Sequence, residues 1–163
     1  LGNALRIIAD QPELQAQLRA EPALIPDFIE ELLRFMGPVK STFRLSKKHT
    51  TLAGADIPAG TVVMIATAAV NRDPRKFDEP NEFRVDRDNS RQHLSFGRGI
   101  HTCPGGPLAR AEGRVTMERF LDRLGDIQVS EAVHGPAGNR SFSYLPTYIL
   151  RGLRQLQLDF TAL

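Results

Sequence analysis

A single cysteine, Cys103, stands in the run Phe96-Gly97-Arg98-Gly99-Ile100-His101-Thr102-Cys103-Pro104-Gly105-Gly106. A lone cysteine forms no internal disulfide, so its value lies in its packing or in its thiolate. Packing alone does not call for the glycines on either side. Glycine is needed where the backbone must take a positive φ or approach a flat ligand closely. The segment therefore reads as a turn that presents one sulfur to a ligand lying against main chain. A thiolate held in this way is a soft axial ligand for haem iron.

Two plainer readings compete. Free cysteines are often buried as small hydrophobes. Zinc is the other, with Cys103, His101 and His93 as ligands. Structural zinc sites take four ligands at paired Cys or His spacings. One cysteine and four scattered histidines, at 49, 93, 101 and 134, do not supply that pattern.

The cysteine run resembles the haem-binding signature of the cytochrome P-450 family: Phe-Gly, a Gly, a basic residue, then Cys-x-Gly at fixed spacing. The matching residues are Phe96, Gly97, Gly99, His101, Cys103 and Gly105. Pro107-Leu108-Ala109-Arg110-Ala111-Glu112, Asn71-Arg72-Asp73-Pro74 and Leu150-Arg151-Gly152-Leu153 resemble the soluble bacterial branch. The resemblance implies haem b (iron protoporphyrin IX) as cofactor and Cys103 as its ligand and catalytic centre. Phe96, Gly97, Arg98, His101 and Gly105 would surround the cofactor. Phe96 would pack beside the thiolate, and backbone N–H groups around Gly105 would donate to the sulfur. Burying the two haem propionates requires cationic or donor partners. Arg44 and His101 match the family positions for that work, and His93 is a further candidate whose alternative is a satisfied structural histidine.

A second motif is Glu31-Leu32-Leu33-Arg34, whose i and i+3 spacing puts the carboxylate and the guanidinium on one helix face. By itself this is a surface ion pair contributing at most about 1 kcal/mol. The resemblance pairs it with an arginine from the loop before the cysteine. Arg87 is the expected third member and Arg84 the fallback. Two arginines around one carboxylate can fasten an irregular loop to a helix, so the expected role is structural. The resemblance also points to Val39, Phe43, Leu145 and Ile149 as the lining of a pocket for a small apolar substrate.

The elements that must position these groups follow from periodicity. Residues 1–9 carry apolar residues at helical spacing and read as the end of a longer helix. Asp10 is a good N-cap ahead of Pro12, which predicts a short helix over 11–19. Leu24, Phe28, Leu32 and Phe35 form one apolar stripe, which predicts a helix over 24–36, ended by Gly37-Pro38. Residues 43–66 turn strand-like around Gly and Pro, a small antiparallel sheet. Residues 71–95 read as a long polar loop, a kind usually functional in compact domains. The stretch 107–124 is a helix with Met117, Phe120, Leu121 and Leu124 on one face, and 127–163 reads as irregular strands.

The 163 residues suffice for one domain with a core. Twenty-one basic against 19 acidic residues leave a net charge of +2 with no basic block, so no nucleic-acid partner is expected. No apolar run approaches the roughly 20 residues of a membrane span. With one unpaired cysteine and no signal peptide, a cytoplasmic location is expected. The expected fold is mainly α with small antiparallel β-sheets, residues 1–163 being the C-terminal, haem-ligating portion of the family's domain without its N-terminal part. By resemblance, such a protein is a monooxygenase that inserts one oxygen atom from O₂, with electrons from a ferredoxin or flavin reductase. A complementing N-terminal chain is a further expected partner. The rivals are a non-catalytic haem-binding fragment and a haem-thiolate peroxygenase or isomerase.

Overall fold

The computed structural model describes residues 1–163. Helices α1 (Gly2–Asp10), α2 (Pro12–Ala20) and α3 (Ile25–Met36) open the chain, with a short 3₁₀ turn at Pro22–Leu24 before α3. Their apolar stripes converge. Ala4, Ile7 and Ile8 of α1, Leu14 and Leu18 of α2, and Ile25, Phe28 and Ile29 of α3 are buried in one core. The long helix α5 (Gly106–Arg123) closes that core with Met117 and Leu121, while Phe120 is only half-buried. Asp10 does not cap α2. It is the last residue of α1, the N-cap position falls on Gln11, and no side chain caps the helix. The Asp10 carboxylate instead pairs with Arg6 and Arg140.

The strand region 43–66 resolves into two separate two-stranded antiparallel sheets. Strand β1 (Thr42–Leu45) pairs with β4 (Val62–Ile65), with Thr42 opposite Ile65. Between them, β2 (Thr50–Leu52) and β3 (Ala55–Ile57) form a hairpin whose two-residue turn, Ala53-Gly54, has positive φ at both positions. That turn matches the right-handed twist of the flanking strands. A short helix α4 (Thr67–Val70) follows.

Helix α5 ends one residue earlier than its apolar pattern suggests, because Leu124 begins strand β5 (Leu124–Val129). Arg19 receives that end, donating to the carbonyls of Leu121 and Leu124 at 3.2 and 2.6 Å. Gln15 is buried and ties β5 inward through the Ile127 carbonyl at 2.6 Å and the Ile8 carbonyl at 2.8 Å. Strand β5 pairs with β6 (Leu158–Ala162), with a register shift between Gly125 and Gln128. One helical turn, α6 (Glu131–His134), interrupts the region read as strands alone. The result is helices around one core with three small antiparallel sheets at its margin. No helix is long and apolar enough to cross a membrane.

Candidate functional site

Helix α3 supplies two adjacent carboxylates, and each organises one part of the site. Glu31 is fully buried and takes both ends of the Arg34 guanidinium at 2.7 Å. Arg87 Nε adds a third bond at 3.1 Å. Arg87 is therefore the third member of the cluster. Arg84 contributes only its backbone N–H, at 3.0 Å from Glu31. The remaining guanidinium donors are spent on carbonyls of the loop 71–95. Arg34 reaches Asn71, Pro80 and Glu82, and Arg87 reaches Asp78, Glu79 and Glu82. These are bidentate, charge-assisted bonds in a dry setting. The surface-pair alternative fails on burial, since Arg34 is 1% and Arg87 6% exposed. The polar loop is thus pinned from inside, with Phe77 and Val85 buried beside the arginines and Phe83 edge-on to Phe28 and Phe35.

Glu30 organises the second part, which the sequence reading missed. Its carboxylate accepts from Arg110 Nε on α5 at 2.5 Å and lies 3.1 Å from His93 Nε2. Burial pushes the Glu30 carboxyl up, but the hydrogen bonds and charges of His93 and Arg110 together outweigh it. The group ends lowered to about 2. His93 Nδ1 accepts the Ser95 N–H at 3.1 Å. Both ring nitrogens of His93 are thus used inside the chain, and His93 is absent from the cavity wall described below. Its expected cofactor role gives way to the structural one. Asn71 completes this part, reaching Ser95 Oγ at 2.8 Å and the Leu94 N–H at 2.7 Å, while Ser95 Oγ donates to the Leu33 carbonyl at 2.6 Å. The adjacent pair Glu30-Glu31 in the middle of an amphipathic helix was the available signal.

The Glu30 cluster borders the cysteine loop through Ser95 and through Arg110 over Phe96, while the Glu31 cluster pins the segment that precedes it. Gly97 and Gly99 sit at φ +70° and +76°, the left-handed region that the loop requires. The turn closes when Cys103 N–H bonds the Phe96 carbonyl at 2.8 Å. Gly106 packs against the Phe96 ring, leaving 3.5 Å for an added Cβ, and Arg110 lies over that ring at 4.7 Å. The expected N–H donation to the sulfur is not made. Gly106 N–H bonds the Cys103 carbonyl at 3.2 Å instead, and no donor reaches Sγ.

Cys103 is exposed and lies on the wall of a cavity of about 660 Å³. Phe96, Gly97 and His101 share that wall, as do Ile29 and Leu33 from α3 and Ala109 and Gly113 from α5. Arg98 is exposed and lies outside it, and Gly105 adjoins it only through Cys103, 3.7 Å from Sγ to a Cβ built on the glycine. Arg44 also lines the cavity, bonded only to the Phe43 carbonyl at 2.8 Å and to no carboxylate. His101 has no carboxylate partner either. Of the four residues expected to line a substrate pocket, only Val39 is on this wall. Strand alternation explains Phe43: Thr42 and Arg44 face the cavity, so Phe43 points away and meets Tyr148 at 6.4 Å. Leu145 packs on Gly152, and Ile149 is bound through its carbonyl to Lys40 N–H. Arg151, Gly152 and Leu153 take their place on the wall.

The family model for cytochrome P450 matches residues 2–129. The chain belongs to the cytochrome P450 family. It is 39% identical over 158 residues to cytochrome P450 144 of Mycobacterium tuberculosis, covering 97% of this chain and 34% of that protein. It is 43% identical to the beta-dihydromenaquinone-9 omega-hydroxylase of the same organism, covering 94% of this chain and 29% of that protein. Among solved structures, substrate-free cytochrome P450 CYP150A6 of Mycobacterium marinum superposes with a TM-score of 0.97 at 57% identity, over 98% of this chain and 39% of that one. The chain thus spans about a third of the length of the curated relatives it matches.

Cytochromes P450 are generally haem-thiolate monooxygenases with haem b as cofactor. The residues present fit that group. An exposed thiol faces a largely apolar cavity, small residues leave room along α5, and two side chains able to receive propionates lack carboxylate partners.

Proposed function

We propose that this chain is the haem-ligating, C-terminal portion of a cytochrome P450 monooxygenase acting on a small apolar organic molecule. The observation that carries the reading is the Cys103 thiol, exposed on an apolar cavity wall beside two basic residues without acidic partners. Cys103 Sγ would be the iron ligand, with the metal securing its thiolate form. Arg44 and His101 would hold the propionates, and Phe96 would shield the sulfur from water. Bound there, haem would supply a thiolate-ligated iron, whose chemistry is the activation of O₂ with two electrons and two protons delivered from outside this chain. Glu31, Arg34 and Arg87 touch none of the reacting atoms. Their work is to hold the segment that precedes the cysteine loop.

An apolar substrate is supported by the cavity lining and by a relative named for hydroxylating a dihydromenaquinone. The electrons would come from a ferredoxin or flavin reductase, in the cytoplasm. A complementing N-terminal chain would complete the cavity. The test is the absorption spectrum of the haem-loaded chain, reduced and exposed to carbon monoxide. Wild type and Lys47→Ala should show the strongly red-shifted Soret band of a thiolate complex, and Cys103→Ser should not. Equal spectra for all three would sink the assignment of Cys103. A thiolate band without turnover, even with reductase and an N-terminal chain, would favour the non-catalytic haem-binding reading. Turnover with peroxide but not with reductase would favour a peroxygenase.

A further inference from the structure

A second cavity of about 440 Å³ lies behind the C-terminal end of α3, bordered by Arg6, Arg34, Lys40, Arg72 and Arg151, with no aspartate or glutamate on its wall. Arg34 is paired with the buried Glu31 and Arg6 lies 3.7 Å from Asp10, while Lys40, Arg72 and Arg151 have no acidic partner. Like charges brought close disfavour one another unless an anion sits among them.

The five are not equally engaged. Arg34 spends its guanidinium on Glu31 and on loop carbonyls. Arg72 donates to Asn81 Oδ1 at 2.9 Å and to the Phe35 carbonyl at 3.0 Å. Its guanidinium is held below the usual arginine range, first by burial and then by the charges of Arg34 and Arg151. Arg6 and Arg151 both donate to one phenol, Tyr144 Oη, at 2.6 and 3.4 Å, although Arg6 also lies 3.7 Å from Asp10. Lys40 Nζ has a single contact, the Thr147 carbonyl at 3.5 Å. A guanidinium carries five N–H donors and an ammonium three. Lys40, Arg151 and Arg6 therefore keep donors to spare around the same space.

We propose that this cavity is a binding site for an oxyanion, the phosphate or carboxylate group of a small molecule. Arginine forks match the oxygen pairs of both groups, and lysine adds a point charge. Met36, Val39 and Arg151 also border the larger cavity, so the two spaces are neighbours. The proposal does not depend on haem, because Arg44 and His101, the residues assigned to propionates, line only the larger cavity.

The experiment is titration of the full chain with inorganic phosphate and, separately, with succinate. It is followed by calorimetry and by amide NMR at ionic strength held constant with sodium chloride. Saturable binding should move the amides of Lys40, Arg72 and Arg151. The Lys40→Gln and Arg151→Gln variants remove charges that are half-buried or exposed, so both should fold, which melting in chloride verifies. Each should weaken binding by about tenfold or more, the size of one charge-assisted hydrogen bond. Lys48→Gln, on the exposed hairpin side, should leave binding unchanged. Binding of phosphate alone, succinate alone, or both in competition supports the site and tells which group it takes. No saturable binding of either, or binding equally strong after both substitutions, overturns it.

Discussion

Two polar regions flank helix α3, and they are finished in opposite ways. Around Glu31 three charged side chains are buried, and the carboxylate is fully paired inside the chain. Around Cys103 the sulfur is exposed and unpaired, and Arg44 and His101 face the cavity without a carboxylate paired to either, although Glu112 lies elsewhere on the same wall. The first region is complete without any other molecule, and the second is short of partners. A chain tolerates exposed donors cheaply because water serves them, whereas a buried charge left unpaired costs several kcal/mol. The closed cluster is therefore where stability should be sensitive, and the open wall is where ligand chemistry should be.

Substitutions can break that contrast, and the largest effect should come from Glu31→Gln. It leaves two buried guanidiniums facing a neutral amide, so a loss of about 3–5 kcal/mol is expected in urea unfolding. Against a total stability of about 5–15 kcal/mol for an ordinary domain, that is near the limit of folding. A loss below about 1 kcal/mol would mean that the cluster is not the brace described.

Glu30→Gln should cost less, about 1–3 kcal/mol at neutral pH, the range for a lost charge-assisted bond. Its signature is in the pH profile. The folded Glu30 carboxyl is lowered from 4.5 to about 2. Its stabilisation is thus fully present above pH 4.5 and is lost as pH falls toward 2. The gap between wild type and variant should close across that window. A gap independent of pH would show that the Glu30 charge contributes nothing.

Gly37→Ala probes the join between the two regions. An added Cβ would sit 2.7 Å from both the Leu33 carbonyl and Ser95 Oγ, the hydroxyl that anchors the loop to α3. Backbone cannot yield as a flexible side chain can, and a cost of about 1–3 kcal/mol is expected, with some loss of haem retention. The smallest effect sharpens the comparison most. Cys103→Ser should change the unfolding free energy of the haem-free chain by no more than about 0.5 kcal/mol, as for an ordinary exposed position, while it abolishes the thiolate spectrum.

Much of this was legible before any coordinates, because local physics writes it along the chain. Helices α1, α3 and α5 followed from apolar spacing and α2 from the Asp10 and Pro12 signals, and their ends lie within a residue or two of the expected bounds, although Asp10 does not make the cap. The cysteine turn followed from glycines that must take positive φ. The Glu31 and Arg34 spacing announced a pair. Less visible were relations between distant segments. Nothing near Asp10 said that Arg140 would take its carboxylate from α2's first turn. Nothing near His93 said that Glu30, 63 residues away, would claim its ring.

What the sequence determined by itself is therefore the elements, the single sulfur and the residue types able to serve it, since propensity, turn chemistry and short spacings act within a few residues. The tertiary structure alone decided which polar groups are spent and which are free. Arg87 rather than the Arg84 side chain meets Glu31, His93 turns inward while His101 faces the cavity, and strand alternation sends Phe43 away from the space that Arg44 lines. The physical reason is that pairing and burial depend on distance in space, and only packing α3 against α5 and the long loop brings those groups within reach.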